Sequence, residues 1–188
     1  MTAPVIWLTG LSGSGKTTLG SRLYAYLTEH GFDAELLDGD HVRKMLVDGY
    51  GPPSIPDSNL RLARVAALLV KHDVYVVVCK ISPYRELREI VAQEIPIYLE
   101  IYVKCPIEEC ARRDSKGLFA RAKIDSELYA EISGLGNRYD EPAFPYLVLE
   151  TDKQTPDESF SALLHKLMSD GWLPKVVPRP GKPVGGWS

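Results

Sequence analysis

Short apolar runs alternate with longer stretches of helical spacing along this chain, from its first residues to about position 170. Val5 to Thr9 reads as a strand, and Thr17 to His30 as a helix whose Leu19, Leu23 and Leu27 share one face. Ala34 to Leu37 predicts a second strand and Leu60 to His72 a second helix. Val74 to Cys79 is a β-branched run of the kind a parallel sheet buries on both faces, Tyr84 to about Val91 is helical after Pro83, and Tyr98 to Val103 is a fourth strand. A short helix follows Pro106, and Tyr146 to Leu149 gives a fifth strand. Pro156 to Asp170 closes the pattern as an amphipathic helix with Phe160, Leu163, Leu164 and Leu167 on one side. Strands joined by helical crossovers predict an α/β fold, a parallel five-stranded sheet flanked by helices on both faces. Ligands of such sheets gather outside the carboxyl ends of the strands, so the residues just after strands carry the most weight.

The first of those positions holds Gly10-Leu11-Ser12-Gly13-Ser14-Gly15-Lys16-Thr17, which fits G-x-x-x-x-G-K-[ST] in full between a strand and a helix. Glycines let successive backbone N–H groups turn inward around phosphate oxygens, and the helix that begins there presents its positive dipole end to the anion. Lys16 reaches the outer phosphates and Thr17 offers its hydroxyl to Mg²⁺, which makes the sheet one of P-loop NTPase type. The plainer reading, a Gly-rich turn capping an ordinary helix, rarely yields all eight positions in this context. Asp38-Gly39-Asp40 follows the second strand directly. Of two carboxylates separated by one glycine, one can orient a metal-bound water while the other accepts a proton from an attacking hydroxyl. We assign the base to Asp40 and the metal to Thr17 and Asp38; an Asx-turn capping the next helix would need only one Asp. Arg43, nearly one turn later, pairs with an anionic group of the acceptor or with a surface carboxylate.

Two segments interrupt the alternation. Positions 49 to 59 carry Gly51-Pro52-Pro53 and Pro56, which predict a loop over the site. Positions 112 to 137 hold Arg112, Arg113, Lys116, Arg121 and Lys123 with punctuating glycines, the composition of a mobile lid that closes over phosphates or, more plainly, of a solvated helix face. The chain has 188 residues, enough for one globular domain without a disulfide or metal staple, and residues 1–173 read as that domain. Residues 174–188 form a Pro/Gly-rich tail that reads as extended. Three cysteines without C-x-x-C spacing predict reduced, buried thiols and a cytoplasmic setting. The apolar runs are too short to span a bilayer, and a net charge of −3 without a basic block disfavours a nucleic acid polymer as partner.

Together these residues resemble the adenylyl-sulfate kinase family. The likeness spans most of the chain in four ordered blocks: Gly10 to Thr18, Leu37-Asp38-Gly39-Asp40-His41-Val42-Arg43, Ile81-Ser82-Pro83-Tyr84-Arg85, and Arg113-Asp114-Ser115-Lys116-Gly117-Leu118-Phe119. The resemblance implies an ATP-dependent kinase that phosphorylates the ribose 3′-hydroxyl of adenylyl sulfate in sulfate assimilation, with Mg²⁺ and usually as a homodimer. It implies that Gly10, Ser12, Gly13, Ser14, Gly15, Lys16, Thr17, Thr18 and Arg113 hold ATP. Asp40 matches the catalytic acid, acting with Lys16 and Asp38. Arg43, Tyr50, Asn59, Lys80, Ile81, Ser82, Lys116, Gly117 and Leu118 fall on the acceptor side.

Departures from the family pattern cluster on that acceptor side. Where the family has Gly-Phe-Ser and then Asp-Arg, this chain reads Gly49-Tyr50-Gly51 and a proline-rich stretch, with Pro56 near the place of the Arg. Ile132-Ser133-Gly134-Leu135 replaces Phe-Thr-Gly-Ile, and Lys80 replaces the Phe before Ile-Ser-Pro. A lost stacking ring typically costs about 1 to 3 kcal/mol. Two other readings therefore stand beside adenylyl sulfate at this point. One keeps the 3′-kinase chemistry on a different adduct such as cytidine diphosphoramidate, used in polysaccharide modification; the other is an ATP-binding protein that transfers no phosphate.

Overall fold

The computed structural model describes residues 3–39, 41–42, 54–114 and 117–174. Five parallel strands, β1 (Val5–Thr9), β2 (Ala34–Asp38), β3 (Tyr75–Cys79), β4 (Tyr98–Lys104) and β5 (Leu147–Glu150), form one sheet in the order β2-β3-β1-β4-β5. Around it run α1 (Lys16–Glu29), α2 (Ile55–Val70), α3 (Arg85–Glu94), α4 (Ile107–Arg113), α5 (Leu118–Ala122), α6 (Ser126–Glu131) and α7 (Pro156–Ser169). The order reverses beside β1, so the first strand delivers its following loop to the switch point of the sheet, where α/β ligand sites form.

Period-two alternation sorts the strand residues between two cores. Ile6, Leu8, Val77, Cys79, Leu99, Ile101 and Val103 face α1 and α7, meeting Leu19, Leu23, Leu27, Leu163 and Leu167. Val5, Trp7, Val76 and Val78 face α2 and α3, meeting Leu62, Ala63, Ala66, Leu87 and Val91. The helical layers on both faces agree with the sequence expectation. Glu100 and Tyr102 of β4 belong to neither apolar core.

Helix α1 lies flush on β3 because Gly20 has no side chain. A Cβ there would clash with Cys79 Sγ and stand 3.5 Å from both Leu36 Cδ1 and Val77 Cγ1. Filling this contact forces a buried strand and helix apart. Overpacking of this kind costs about 1 to 3 kcal/mol, so Gly20→Ala is expected to lower the melting temperature by roughly 2 to 10 °C in a calorimetric or circular-dichroism melt. An unchanged melting temperature would mean that α1 can shift without penalty.

One expectation changes. Residues 55–59, expected in a loop, form the first turns of α2, because Ser54 caps the helix by accepting a hydrogen bond from Asp57 N at 3.2 Å and Pro56 sits in the opening turn. A proline there loses no intrahelical bond, so the breaker of a helix interior becomes a helix opener. The described residues of 112–137 add apolar packing to their charge. Phe119, Ala122 and Ile132 bury themselves with Cys105 and Cys110 in a third apolar cluster, against which Leu11 of the phosphate loop also packs. All three cysteines are free and buried, and among the described residues no helix is long and apolar enough to cross a membrane. Positions 49–53 of the expected loop, and residues 175–188 of the tail, lie outside the described residues.

Candidate active site

Strand β1 runs straight into the loop that begins at Gly10. Gly13 adopts φ 80°, and a Cβ there would sit 2.9 Å from Cys110 O, so both conformation and space require glycine. Gly15 at φ 105° caps α1 without a side-chain hydrogen bond and no acidic residue occupies the first turn, which leaves the dipole end of the helix facing the loop. Lys16 is 9 % exposed. Its ammonium donates to Gly10 O at 2.9 Å and to Leu11 O at 2.7 Å, which folds the cation back over the loop it belongs to. Ser14 is fully buried, and its hydroxyl has no hydrogen-bond partner among the described residues.

At the carboxyl end of β2, Asp38 accepts a 2.7 Å hydrogen bond from Thr17 Oγ1. A hydroxyl and a carboxylate from two different elements thus meet at the mouth of the phosphate loop. The next residue, Gly39, is crossed by the Lys80 side chain. Lys80 Cδ lies 2.6 Å, and its Nζ 3.5 Å, from where a Gly39 Cβ would stand. The cation that departs from the family pattern therefore lies against the turn that follows Asp38. These positions fit Mg²⁺ and a nucleotide triphosphate. Mg²⁺ characteristically takes one or two protein oxygens and completes its shell with phosphates and water, and Thr17 with Asp38 would supply such a donor set. Among the described residues no larger group of His, Cys, Asp and Glu gathers to hold a metal.

Opposite Asp38, Arg113 at the end of α4 donates to Thr151 O at 2.7 Å and to Thr151 Oγ1 at 3.3 Å. Thr151 Oγ1 in turn donates to Ser14 O at 2.8 Å. Arg113 is thereby wired to the phosphate loop through Thr151, a residue the sequence reading missed. Its signal was available, since Thr151 immediately follows β5 at a carboxyl strand end. Glu109 takes both Arg112 and Arg113, whose hydrogen bonds hold its carboxyl down to about 2.

Of the residues expected to meet the acceptor, Asn59 and Ser82 come together, although neither offers surface: they are 0 % and 1 % exposed. Ser82 Oγ donates to Asn59 Oδ1 at 2.6 Å and accepts from Trp7 Nε1 at 3.0 Å, while Asn59 Nδ2 donates to Ile55 O at 2.8 Å. Their side chains brace the loop after β3 from within. Ile81 O accepts a 2.6 Å bond from Thr9 Oγ1. Gly117 at φ 63° leads into α5, where Leu118 packs against the third cluster and Asp114 accepts from Phe119 N and Ala120 N. Ile132 is buried in that cluster, with Leu135 partly buried against it. Asp40, Arg43, Tyr50 and Lys116 lie outside the described residues.

The model of the adenylylsulphate kinase family matches residues 2–150. The chain belongs to that family. An adenylyl-sulfate kinase of Gloeothece citriformis is 41% identical over 170 residues, covering 89% of this chain and 96% of the relative. One from Chloroflexus aurantiacus is 43% identical over 165 residues, covering 87% and 88%. A Mycobacterium tuberculosis APS kinase solved with AMPPNP and APS superposes at a TM-score of 0.80, with 32% identity over 88% of this chain and 98% of that one. In this adenylylsulphate kinase family member the match and the geometry coincide. The matched segment runs from β1 through β5 and so contains the phosphate loop, Asp38, the loop after β3 and α4 to α6.

Proposed function

We propose that this chain transfers the γ-phosphoryl group of ATP to the ribose 3′-hydroxyl of adenylyl sulfate. The observation that carries the reading is the meeting of Thr17 and Asp38 at 2.7 Å beside Lys16, within a chain about two-fifths identical to adenylyl-sulfate kinases over nearly nine-tenths of its length. Lys16 and the loop amides hold the donor phosphates, and Arg113 fixes the nucleotide end through Thr151. Thr17 and Asp38 hold Mg²⁺, whose chemistry is to neutralise charge on the phosphate oxygens. Asp40 takes the proton of the 3′-hydroxyl as its oxygen bonds to the γ-phosphorus and the bond to the bridging oxygen of ADP breaks. Arg43, Tyr50, Lys80 and the Ile81–Ser82 loop receive the acceptor. Lys116, Gly117 and Leu118 belong to a lid over about 112–137 that excludes water, since phosphoryl transfer rests on positioning and charge neutralisation in a dry site. A homodimer in the cytoplasm is part of the same proposal.

Lys80 supports this acceptor in spite of the missing Arg. A cation lying across Gly39 supplies positive charge beside the acidic turn, from a different element than the one that lost it. The test is release of ADP from Mg·ATP with adenylyl sulfate, beside an Asp40→Asn control. Acceptor-dependent turnover that falls by a factor of about 100 to 10,000 in the variant is the expected outcome, the range typical of a general base. Preference for cytidine diphosphoramidate would overturn the acceptor, and tight ATP binding with no acceptor-dependent release would overturn the kinase.

A further inference from the structure

We infer that Arg88 is a positioning residue for the acceptor site, a buried cationic tie that fixes the loop after β3 to the segment where the proposed lid re-enters the fold; the inference rests on the acceptor reading above. Arg88 sits on α3 and is 3 % exposed. Its three nitrogens go to three different elements. Nη1 donates to Ser82 O at 2.7 Å, Nη2 donates to Asp140 O at 2.7 Å, and Nε lies 2.9 Å from Glu100 Oε1 on β4 as an ion pair. Burying a guanidinium is costly unless it is paired and hydrogen-bonded; here two hydrogen bonds to carbonyls and an ion pair with a carboxylate meet it, from directions that the separate nitrogens of a planar fork reach and a single ammonium nitrogen does not. Glu100 is itself largely buried, and that burial raises its carboxyl above the usual range while Arg88 pulls it back.

What the tie holds is a strained backbone. Ser82 adopts φ 48°, in the left-handed region that residues other than glycine rarely occupy. Such strain persists only where its surroundings over-determine it. Here the side chain of Ser82 is gripped by Trp7 and Asn59, and its carbonyl by Arg88. Register explains the arrangement, because Trp7 and Glu100 are paired across β1 and β4 and so present their side chains to the same face, toward α3. On the far side of the fork, Asp140 is stitched to the same loop. Its N–H donates to Pro83 O at 2.8 Å, and its Oδ2 accepts from Arg85 N at 3.1 Å. Tyr84 OH donates to Asn137 Oδ1 at 3.0 Å. Residues 81–85 and 137–140 therefore form one braced unit, with Arg88 as the side chain that reaches both halves and the sheet.

The consequence is specific to one substrate. Loosening Arg88 releases Ser82 and the lid's return segment together, while the phosphate loop is held by other groups, Thr151 and the packing of Leu11. The experiment uses the full chain with Arg88→Lys, and with Arg88→Met/Glu100→Gln, which leaves no charge buried alone. In both variants KM for adenylyl sulfate is expected to rise at least tenfold with KM for ATP changed less than twofold. Amide hydrogen exchange, read without substrate, is expected to speed up in peptides covering 80–86 and 137–141 and to stay unchanged in 10–17. Equal rises in both KM values, or faster exchange spread evenly through 10–17 as well, would overturn the inference and leave Arg88 a general stabiliser. If wild-type protein fails to turn over adenylyl sulfate, the acceptor reading falls, and the exchange pattern still decides whether Arg88 ties the two segments.

Discussion

Lys16→Ala is expected to lower kcat by a factor of at least about 100 while the protein stays folded, and to weaken binding of a non-hydrolysable ATP analogue. Lys16 belongs to α1, yet its ammonium is folded back onto Gly10 O and Leu11 O, where it overhangs the loop. It is pre-oriented by carbonyl dipoles in a largely buried place, so it needs little reorganisation when negative charge develops on the transferring group. Preorganised charge of this kind is worth about two to three orders of magnitude in turnover when one donor is removed. The fold should survive. The phosphate loop keeps its shape through Ser14 N to Leu11 O at 3.2 Å, Thr151 Oγ1 to Ser14 O, and the glycine conformations, none of which uses the lysine. Rapid-quench turnover beside a thermal melt checks the prediction. An intact melt with kcat within a factor of about three of wild type would show that Lys16 acts only as a binding group for the ground state.

Asp38→Asn is expected to raise the half-saturating Mg²⁺ concentration about tenfold and to reduce kcat by about two orders of magnitude. Asparagine keeps an oxygen that can accept the bond from Thr17 Oγ1, so geometry is preserved while one negative charge is lost. A hydrogen bond to an ionised group is about twice as strong as a neutral one, and a tenfold change in an equilibrium corresponds to about 1.4 kcal/mol. Thr17→Ser should behave nearly as wild type because it retains the hydroxyl, whereas Thr17→Val should follow Asp38→Asn. Titration of activity with Mg²⁺ at saturating ATP separates these outcomes. A metal dependence unchanged in Asp38→Asn would assign the carboxylate to holding Thr17 alone.

Much of the architecture was legible along the chain because its signals are local. Short strand-like runs of four to six residues, helical spacing at Leu19, Leu23 and Leu27, and the eight-residue phosphate loop each carry their information within a few positions. Element boundaries shifted by one to three residues at most ends, and by five at α2, where Ser54 and Pro56 act as start signals rather than breakers. The acidic turn was legible too, since Asp38 falls at the end of a strand that periodicity locates.

The remainder depends on residues far apart in sequence. Thr151 lies 137 positions from Ser14, and Arg88 lies 52 from Asp140; nothing in local pattern pairs them. Arg88 reads as one more cation in a charged helix, and Glu100 as a polar residue between apolar neighbours. Their meaning arises from β-strand register, which sets Glu100 beside Trp7 in the face that α3 covers. The burial of Asn59 and Ser82 has the same origin, because the approach of α2 to the loop after β3 turns two polar side chains onto each other. By itself the sequence determined the parallel α/β sheet, the phosphate loop with Lys16 and Thr17, and the carboxylate at the end of the second strand, all of which follow from short-range periodicity and backbone chemistry. Only the tertiary structure decided that Lys80 crosses Gly39, that Arg113 reaches the loop through Thr151, and that a buried arginine grips a strained Ser82, because long-range packing chooses the partners of polar groups that water would otherwise satisfy.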